Sequence, residues 1–236
     1  MEEKILILDF GSQYTQLIAR RVRELNIYCE IFPYNKAPKN IENFKGLILS
    51  GSPFSVHDVE APSVNLEEFK NIPILGICYG AQMVAKISGC DVLKSEIREY
   101  GRAKLNYVNN SSLILDGVKS NSDVWMSHGD SIKNNKDVLE VIASTDDVEV
   151  ASYYIKKLNF YGLQFHPEVT HSAEGKKILE NFTVKICGCN KKWTPDKFVE
   201  QTVRELKEKL GKERVILGLS GGVDSSVAAF LINRAI

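Results

Sequence analysis

A cysteine between two glycines stands where an apolar run gives way to a helical pattern. The run Gly76-Ile77-Cys78-Tyr79-Gly80 has the spacing that is typical of a sharp strand-to-helix turn around a nucleophile. Small residues make room for such a turn, and the nucleophile is held in a strained backbone conformation with its side chain exposed. Backbone N–H groups at the start of the next helix favour the thiolate over the thiol. We interpret Cys78 as a candidate nucleophile, and the alternative is a small buried hydrophobic residue.

A histidine and a glutamate two positions apart could supply its base. His166 and Glu168 follow the apolar run FYGLQF, which places them at the carboxyl end of a strand, where open α/β sheets form their sites. His166 could take the thiol proton while Glu168 accepts the other ring N–H and fixes the tautomer. The alternative for the isolated pair is an edge histidine beside a surface glutamate. His128 also follows a strand, and the next residue, Gly129, allows close approach of the backbone to a ligand.

A glycine-serine loop near the end of the sequence is a second candidate site. The run SGGVDSS, residues 220–226, follows an apolar segment and opens a helical pattern. Paired glycines let successive N–H groups form an anion-binding nest, to which a helix N-terminus and hydroxyl groups add. The spacing and the lysine of a Walker loop are missing. The pattern indicates an anion-binding turn, and the alternative is a glycine turn that caps a helix.

The elements that position the cysteine alternate between strand and helix. Residues 4–9 read KILILD, a continuous apolar run that suits a strand covered on both faces. Further strands are predicted at residues 28–32, 45–49 and 72–77, and a helix at about residues 80–88. This alternation indicates an α/β fold with an open, mixed, mostly parallel sheet and flanking helices.

The middle of the chain is rich in predicted strands separated by polar turns. We expect these strands to extend the sheet in a mixed or antiparallel manner. They are predicted at residues 102–108, 124–127, 138–143, 150–154 and 160–165. A helix over residues 173–186, with an apolar stripe on one face, is expected to close the domain.

The last segment has the pattern of the opening of a second α/β domain. Thr194 and Pro195 are typical of a helix start, and Gly211 ends the apolar stripe that follows. Residues 215–219 predict a buried strand before the glycine-serine loop. Because a single parallel strand cannot build a core, we expect this second domain to be truncated at Ile236. The predicted domains are residues 1–190 and residues 191–236.

Composition narrows the class of protein. The chain has 236 residues, 44% of them apolar, and equal numbers of basic and acidic side chains, 30 each. Zero net charge argues against nucleic acid as the main partner. The five cysteines are odd in number and irregularly spaced, which is typical of reduced thiols. Neither a signal peptide nor an apolar run of about 20 residues is present, so the sequence predicts a cytoplasmic protein without a membrane span.

Several long motifs together resemble one family. They are LDFGSQYTQLIARRVREL, GICYGAQ, DVWMSHGD, QFHPEVTH and LGLSGGVDSS, in this order. They resemble the class I glutamine amidotransferases, and more narrowly the amidotransferase domain of the GMP synthetases. The resemblance covers essentially the whole chain, and the order of the motifs is more specific than any one of them.

The resemblance implies a role for each matching residue. Cys78 would attack the side-chain amide of glutamine, His166 would shuttle the proton, and Glu168 would orient the histidine. The implied oxyanion donors are the backbone N–H groups of Gly51, Ser52 and Tyr79, and the implied glutamine-binding residues are Gln82, Ser127, Gly129 and Asp130. Ser52 departs from the family, which has glycine there, and would be strained if the turn requires a positive φ.

For the glycine-serine loop, the resemblance is to the pyrophosphate loop of the N-type ATP pyrophosphatases. Asp224 would help to hold Mg²⁺, and the implied ATP-binding residues are Ser220, Gly221, Gly222, Val223, Asp224, Ser225 and Ser226. The complete enzyme would use ATP and Mg²⁺ to aminate XMP to GMP, and would be a homodimer with its XMP-binding and dimerising parts beyond residue 236. Glutamine hydrolysis itself would need no cofactor and no metal.

Three alternatives remain open from the sequence. One is a γ-glutamyl hydrolase on the same scaffold, which would not need the glycine-serine loop. Another is an amidotransferase that serves a different pathway. The last is a non-catalytic regulatory module, although such modules usually lose the cysteine or the histidine, and both are present here.

Overall fold

Continuous apolar runs form the inner strands of one large sheet. The computed structural model describes residues 3–236, apart from the side chains of residues 95–99. In the first strand, Ile5 and Ile7 pack into one hydrophobic cluster while Leu6 and Leu8 pack into another, and all four are fully buried. The strand is therefore covered on both faces, as the run KILILD predicts.

The large sheet has eight strands in the order β2-β1-β3-β4-β10-β9-β8-β6. Neighbours from β2 to β10 are parallel, and those from β10 to β6 are antiparallel. This sheet confirms the predicted α/β fold with its mixed, mostly parallel sheet. The strands of the described chain are β1 (Lys4–Asp9), β2 (Tyr28–Pro33), β3 (Phe44–Leu49), β4 (Ile74–Ile77), β5 (Val92–Lys104), β6 (Tyr107–Val108), β7 (Asp123–Ile132), β8 (Glu140–Ser144), β9 (Ser152–Ile155) and β10 (Phe160–Leu163).

Helices cover both faces of this sheet. The described helices are α1 (Thr15–Glu24), α2 (Tyr79–Ile87), α3 (Gly175–Glu180), which continues as a π-helical turn (Asn181–Ile186), α4 (Pro195–Leu210) and α5 (Val223–Ala235). The apolar side chains of α1 and α3 join the cluster that contains Ile5, and those of α2 join the cluster that contains Leu6. The helix predicted over residues 173–186 is therefore present, but it starts later and changes its hydrogen bonding halfway.

Two strands of the middle segment lie outside the large sheet. β5 and β7 pair with each other in a separate antiparallel sheet. The expectation that residues 124–127 extend the main sheet is thus wrong, and so is the expectation for residues 102–104, which belong to β5. The end of the strand predicted at residues 102–108 forms β6, and β6, β8 and β9 do extend the main sheet. Burial alternates strictly along β7, so one face of this strand packs inward and the other does not. Alternation of this kind fits a ribbon lying over a core as well as a strand within a sheet, and the sequence alone does not separate the two.

The chain divides into a first compact unit that ends at Lys191 and a second unit, Lys192–Ile236. In the second unit, the Thr194 hydroxyl accepts a hydrogen bond from the backbone N–H of Lys197 (3.3 Å), and Pro195 is the first residue of α4. Residues 215–219 do not form the predicted strand, because a strand requires a hydrogen-bonded neighbour and the described residues supply none. Within the part of the chain that the structure describes, no helix has the length and apolar character needed to cross a membrane.

Candidate active site

The turn after β4 holds Cys78 in a conformation that other residues rarely adopt. Its φ and ψ are 52° and −106°, and its backbone N–H donates to the carbonyl of Leu163 on β10 (2.7 Å). A Cβ atom on Gly76 would lie 2.8 Å from the nitrogen of Ala81, and one on Gly80 would lie 2.7 Å from the carbonyl oxygen of Leu49. Both glycines are therefore required by close backbone approach, which is the physical basis of the GICYG spacing.

His166 and Glu168 form a buried pair beside this turn. Nδ1 of His166 lies 2.7 Å from Oε1 of Glu168, and the two residues are 4% and 0% exposed. Because a carboxylate can only accept, the pair fixes the proton on Nδ1 and leaves Nε2 to exchange a proton with a substrate or with a thiol.

The surroundings of His166 favour its charged form. Burial alone would lower the pKa of the imidazole, but the Glu168 carboxylate and a hydrogen bond with the Cys78 thiol raise the pKa well above its ordinary value. A histidinium next to a cysteine stabilises the thiolate. The site therefore favours an imidazolium at His166 beside the sulfur of Cys78.

A set of short contacts fixes the segment that bears the histidine. The backbone N–H of His166 donates to the carbonyl of Trp125 (3.0 Å). Ser172 donates its hydroxyl to the carbonyl of His166 (2.6 Å) and accepts from the N–H of Trp125 (3.0 Å). From α1, Nε of Arg21 donates to the carbonyl of Glu168 (2.9 Å). The segment that contains His166 and Glu168, called the triad segment below, is thus hydrogen-bonded to β7 and to α1.

Cys78 borders two cavities. A cavity of about 210 Å³ is lined by Cys78, His166, Tyr14 and the turn around Gly51. The ring of Tyr14 meets the ring of His166 edge-on, with 5.2 Å between their centroids. A larger cleft of about 510 Å³ is also lined by Cys78. The sulfur itself lies 3.6 Å from the carbonyl oxygen of Ser127.

The three predicted oxyanion donors lie around the sulfur. Ser52 lines both cavities, Gly51 lines the smaller one and Tyr79 lines the larger one. Among the described residues, none accepts a hydrogen bond from the backbone N–H groups of Gly51, Ser52 or Tyr79. The non-glycine residues with positive φ in the described chain do not include Ser52. Serine at this position therefore adds no strain of the kind considered from the sequence.

All four predicted glutamine-binding residues line the larger cleft, namely Gln82, Ser127, Gly129 and Asp130. The carboxylate of Asp130 accepts a hydrogen bond from the Ser55 hydroxyl (2.6 Å). Its backbone carbonyl accepts from Nε2 of Gln82 (2.8 Å). The cleft therefore offers carboxylate and amide oxygens at one end and the cysteine sulfur at the other, which suits a substrate with an ammonium group and an electrophilic carbon.

His128 also lines the cleft, and its charge state differs from that of His166. Burial lowers the pKa of His128 to about 4, although its hydrogen bond to the backbone of Asp130 partly opposes this shift. Nδ1 of His128 lies 2.9 Å from that carbonyl oxygen, which can only accept. His128 is therefore a neutral imidazole with its proton on Nδ1 near neutral pH.

In the second unit, the glycine-serine loop leads directly into α5. Gly221 has a φ of 80°. The hydroxyl groups of Ser220 and Ser225 lie 3.0 Å apart, and the hydroxyl of Ser226 donates to the carbonyl of Gly222 (2.9 Å). Apart from Gly221 and its two neighbours in the chain, no described residue has an atom within 4 Å of a Cβ placed on Gly221. The loop thus presents hydroxyl groups and open space at the start of a helix, with Asp224 in its first turn.

Four residues that sequence reasoning missed contribute to the first site: Tyr14, Arg21, Gln164 and Ser172. Gln164 had a local signal, because it is a polar residue inside the apolar run FYGLQF. Arg21 had none, since its contact with Glu168 joins positions 147 residues apart. Such contacts depend on tertiary packing and leave no periodic pattern in the sequence.

Two family models match the chain. The model described as glutamine amidotransferase class-I matches residues 6–186, and the model described as NAD synthase matches residues 196–236. Among curated proteins, the GMP synthase [glutamine-hydrolyzing] of Cytophaga hutchinsonii is 59% identical over 100% of this chain. The GMP synthase [glutamine-hydrolyzing] 1 of Bacteroides thetaiotaomicron is 56% identical, also over 100% of this chain. The chain spans 47% of the length of each of these relatives.

Solved structures give the same fold. A structure named as a GMP synthase subunit from Thermoplasma acidophilum aligns with a TM-score of 0.70 at 33% identity, over 80% of this chain and 95% of that one. A glutamine amidotransferase from Thermotoga maritima aligns with a TM-score of 0.65 at 19% identity, over 79% and 99%.

Proposed function

The chain belongs to the class-I glutamine amidotransferase family, and we propose that its first unit hydrolyses glutamine to glutamate and ammonia. The observation that supports this most directly is the position of Cys78. It lies on a strained turn next to the buried pair of His166 and Glu168. These three side chains lie at the carboxyl ends of β4 and β10, where Cys78 would act as the nucleophile, His166 as its base and Glu168 as the group that orients the base.

The first chemical step forms a carbon–sulfur bond. The thiolate of Cys78 attacks the amide carbon of glutamine, and the carbonyl oxygen becomes an oxyanion. His166 then gives its proton to the amide nitrogen, the carbon–nitrogen bond breaks, and ammonia leaves a glutamyl thioester. Glu168 accepts the hydrogen bond from Nδ1 and stabilises the imidazolium throughout.

The second step returns the enzyme to its starting state. Nε2 of His166 takes a proton from water, the hydroxide attacks the thioester carbon, and the carbon–sulfur bond breaks to release glutamate and the thiolate. In both steps the oxyanion would be held by backbone N–H groups of Gly51, Ser52 and Tyr79. Losing one such donor typically costs about 10²- to 10³-fold in rate.

The ammonia is proposed to aminate XMP to GMP in a reaction that consumes ATP. The support is that the curated relatives carry that synthase name and are about twice as long as this chain. We propose that residues 1–190 form the amidotransferase domain and that residues 191–236 open an ATP pyrophosphatase domain. The division of the described chain after Lys191 supports this boundary.

ATP would bind at the glycine-serine loop of the second domain. The free space at Gly221 and the hydroxyl groups around Gly222 suit a pyrophosphate group, and Asp224 would face its Mg²⁺. When bound, ATP would supply the adenylyl group that activates the XMP base. We also propose that the complete protein is a homodimer and that it acts in the cytoplasm, where free thiols such as its five cysteines persist.

The alternative functions considered from the sequence have less support. A γ-glutamyl hydrolase would have no use for the glycine-serine loop. A non-catalytic module would have no need of a histidine held by a buried carboxylate at 2.7 Å. The model described as NAD synthase covers only residues 196–236, and the relatives that match the full chain favour GMP synthesis over another pathway.

The test is glutamate release from glutamine by the native chain, by Cys78→Ala and by Cys90→Ala. Cys90 is a buried cysteine of the same unit outside the site, so its variant is the matched control. We expect Cys78→Ala alone to lose the activity. If all three are silent, the same assay is made on the full-length protein with ATP and XMP, and silence there would overturn the proposal.

A further inference from the structure

A buried glutamine lies directly beneath the cleft. Gln164 follows β10 and is 0% exposed, although its neighbours Leu163 and Phe165 belong to the hydrophobic core. Its backbone N–H donates to the carbonyl of Ala151 (2.9 Å), so the main chain is fixed by the sheet. Its amide side chain therefore has a defined place in the fold.

The side chain of Gln164 reaches the side chain of Gln82. Nε2 of Gln82 donates to Oε1 of Gln164 (3.3 Å) and also to the backbone carbonyl of Asp130 (2.8 Å). An amide nitrogen has two hydrogens, so these two contacts use both. Since Gln82 lines the cleft, Oε1 is the group that it can offer to a ligand.

This arrangement is costly for the folded protein. Nε2 of Gln164 is buried and has no hydrogen-bond partner among the described residues. A buried donor without a partner destabilises the folded state, because it has lost its hydrogen bonds to water. An apolar side chain of similar volume would avoid that cost, so packing alone does not account for an amide at this position.

We propose that Gln164 is a positioning residue that keeps the oxygen of Gln82 turned toward the cleft, and thereby selects substrates that carry an α-ammonium group. The inference rests on the proposed glutaminase function and deepens it. With Gln164 in place, Oε1 of Gln82 and the carboxylate of Asp130 are both acceptors in the same cleft. Without the Gln164 amide, Nε2 of Gln82 keeps only its hydrogen bond to the Asp130 carbonyl. Its second N–H can then turn into the cleft, where this N–H would repel the ammonium group of a substrate.

The contact with Asp130 links this pair to the rest of the cleft. The backbone carbonyl of Asp130 accepts from Gln82 and from Nδ1 of His128 (2.9 Å), and the carboxylate accepts from Ser55 (2.6 Å). Asp130 is thus fixed independently of Gln164. Removing the Gln164 amide is therefore expected to weaken selection for the ammonium group without displacing the cleft wall.

The experiment measures alkylation of Cys78 in the 236-residue chain, which needs no turnover. One reagent is a diazoketone analogue of glutamine with its α-amino group, and the second is the same diazoketone without that group. The thiolate displaces dinitrogen from the protonated reagent, and the adduct is measured by mass. In Gln164→Met we expect the preference for the amino reagent to fall by about tenfold. Iodoacetamide should label Cys78 at an unchanged rate.

Matched variants separate positioning from packing. Tyr153→Phe removes a buried hydrogen bond to the carbonyl of Ala81 on α2 (2.5 Å), and the preference should stay as in the native chain. Gln164→Glu keeps an acceptor oxygen at the same place and should also keep the preference. If Gln164→Met does not fold, Gln164→Leu replaces it. An unchanged preference in the folded variant, or an equal loss with both diazoketones, overturns the inference. Failure of both diazoketones to label the native chain would instead count against the proposed function.

Discussion

At the scale of single residues, Cys78 shows how reactivity is obtained at the expense of stability. Its φ of 52° lies in the region that favours glycine, and it is held there by the turn between β4 and α2. Strain of this kind typically costs about 1–3 kcal/mol. The surrounding sheet and helix supply the stability that offsets it.

This strain predicts an asymmetry between two inactive variants. Cys78→Gly relieves the strain because glycine has no Cβ, whereas Cys78→Ala keeps it. We expect the free energy of unfolding of Cys78→Gly to exceed that of Cys78→Ala by about 1 kcal/mol. Urea denaturation of both variants measures the difference. Equal stabilities would mean that the turn stores no strain at this residue.

The neutral state of His128 predicts a pH dependence of stability. Burial lowers the pKa of His128 to about 4 from an ordinary value of 6.5, so the unfolded chain binds the proton more readily than the folded chain does between these values. Stability from this residue is therefore lost as the pH falls below about 6.5. At about pH 5 the loss should be about 2 kcal/mol.

Comparison with the variant His128→Asn isolates the contribution of His128 to the pH dependence of stability, because asparagine does not titrate. Urea denaturation of both proteins is measured near pH 7 and near pH 5. Asp130 and His166, which face His128, are present in both proteins. We expect the native chain to lose more stability than His128→Asn does. Parallel losses in the two proteins would show that His128 is not held neutral by burial.

At the scale of elements, the sequence predicted the parts that depend on local patterns. Continuous apolar runs predicted β1, β3 and β4, and the spacing of the glycines around Cys78 predicted the turn before α2. The separate pairing of β5 with β7 was not predicted, because alternating burial looks the same in an added strand and in an overlying ribbon. Contacts of the site between residues far apart in the sequence, such as that between Gln82 and Gln164, could not be predicted from local patterns either.

The link between α1 and the triad segment predicts the effect of losing one side chain. Arg21 donates to the carbonyl of Glu168 (2.9 Å) and pairs with Glu24 (2.8 Å), whereas its neighbour Arg20, among the described residues, pairs with Glu24 alone. Arg21→Met keeps the apolar stem but removes the donor, so Glu168 and His166 lose part of their support. We expect kcat for glutamine hydrolysis to fall by about tenfold with little change in KM.

Arg20→Met is the matched control for that experiment. It removes an exposed ion pair on the same helix, which contributes at most about 1 kcal/mol to stability. Steady-state kinetics of both variants should show a kcat effect for Arg21→Met alone. A similar fall in both variants would indicate a general effect on α1, and a rise in KM alone would place Arg21 in substrate binding.

At the scale of the whole molecule, the described chain consists of two units with different degrees of burial. The residues of both hydrophobic clusters lie before the division at Lys191, and so do all the residues of the first site. In the second unit, Ala235 is the buried hydrophobic residue, while Ile216 and Phe230 are exposed. The sequence pattern predicted α4 and α5. The strand predicted at residues 215–219 does not form, because it needs a neighbouring strand that the described chain does not supply.

A chain shortened to residues 1–191 should therefore keep its first site intact. We expect its rate of Cys78 alkylation by the amino diazoketone to stay within about twofold of that of the longer chain, because no core contact is removed. Thermal unfolding should show the same main transition. A chain that ends at residue 180 is the control, since it removes Phe182 and Cys189 from the core and should not fold. A large fall in alkylation for residues 1–191 would contradict this prediction and would mean that the site depends on residues after Lys191.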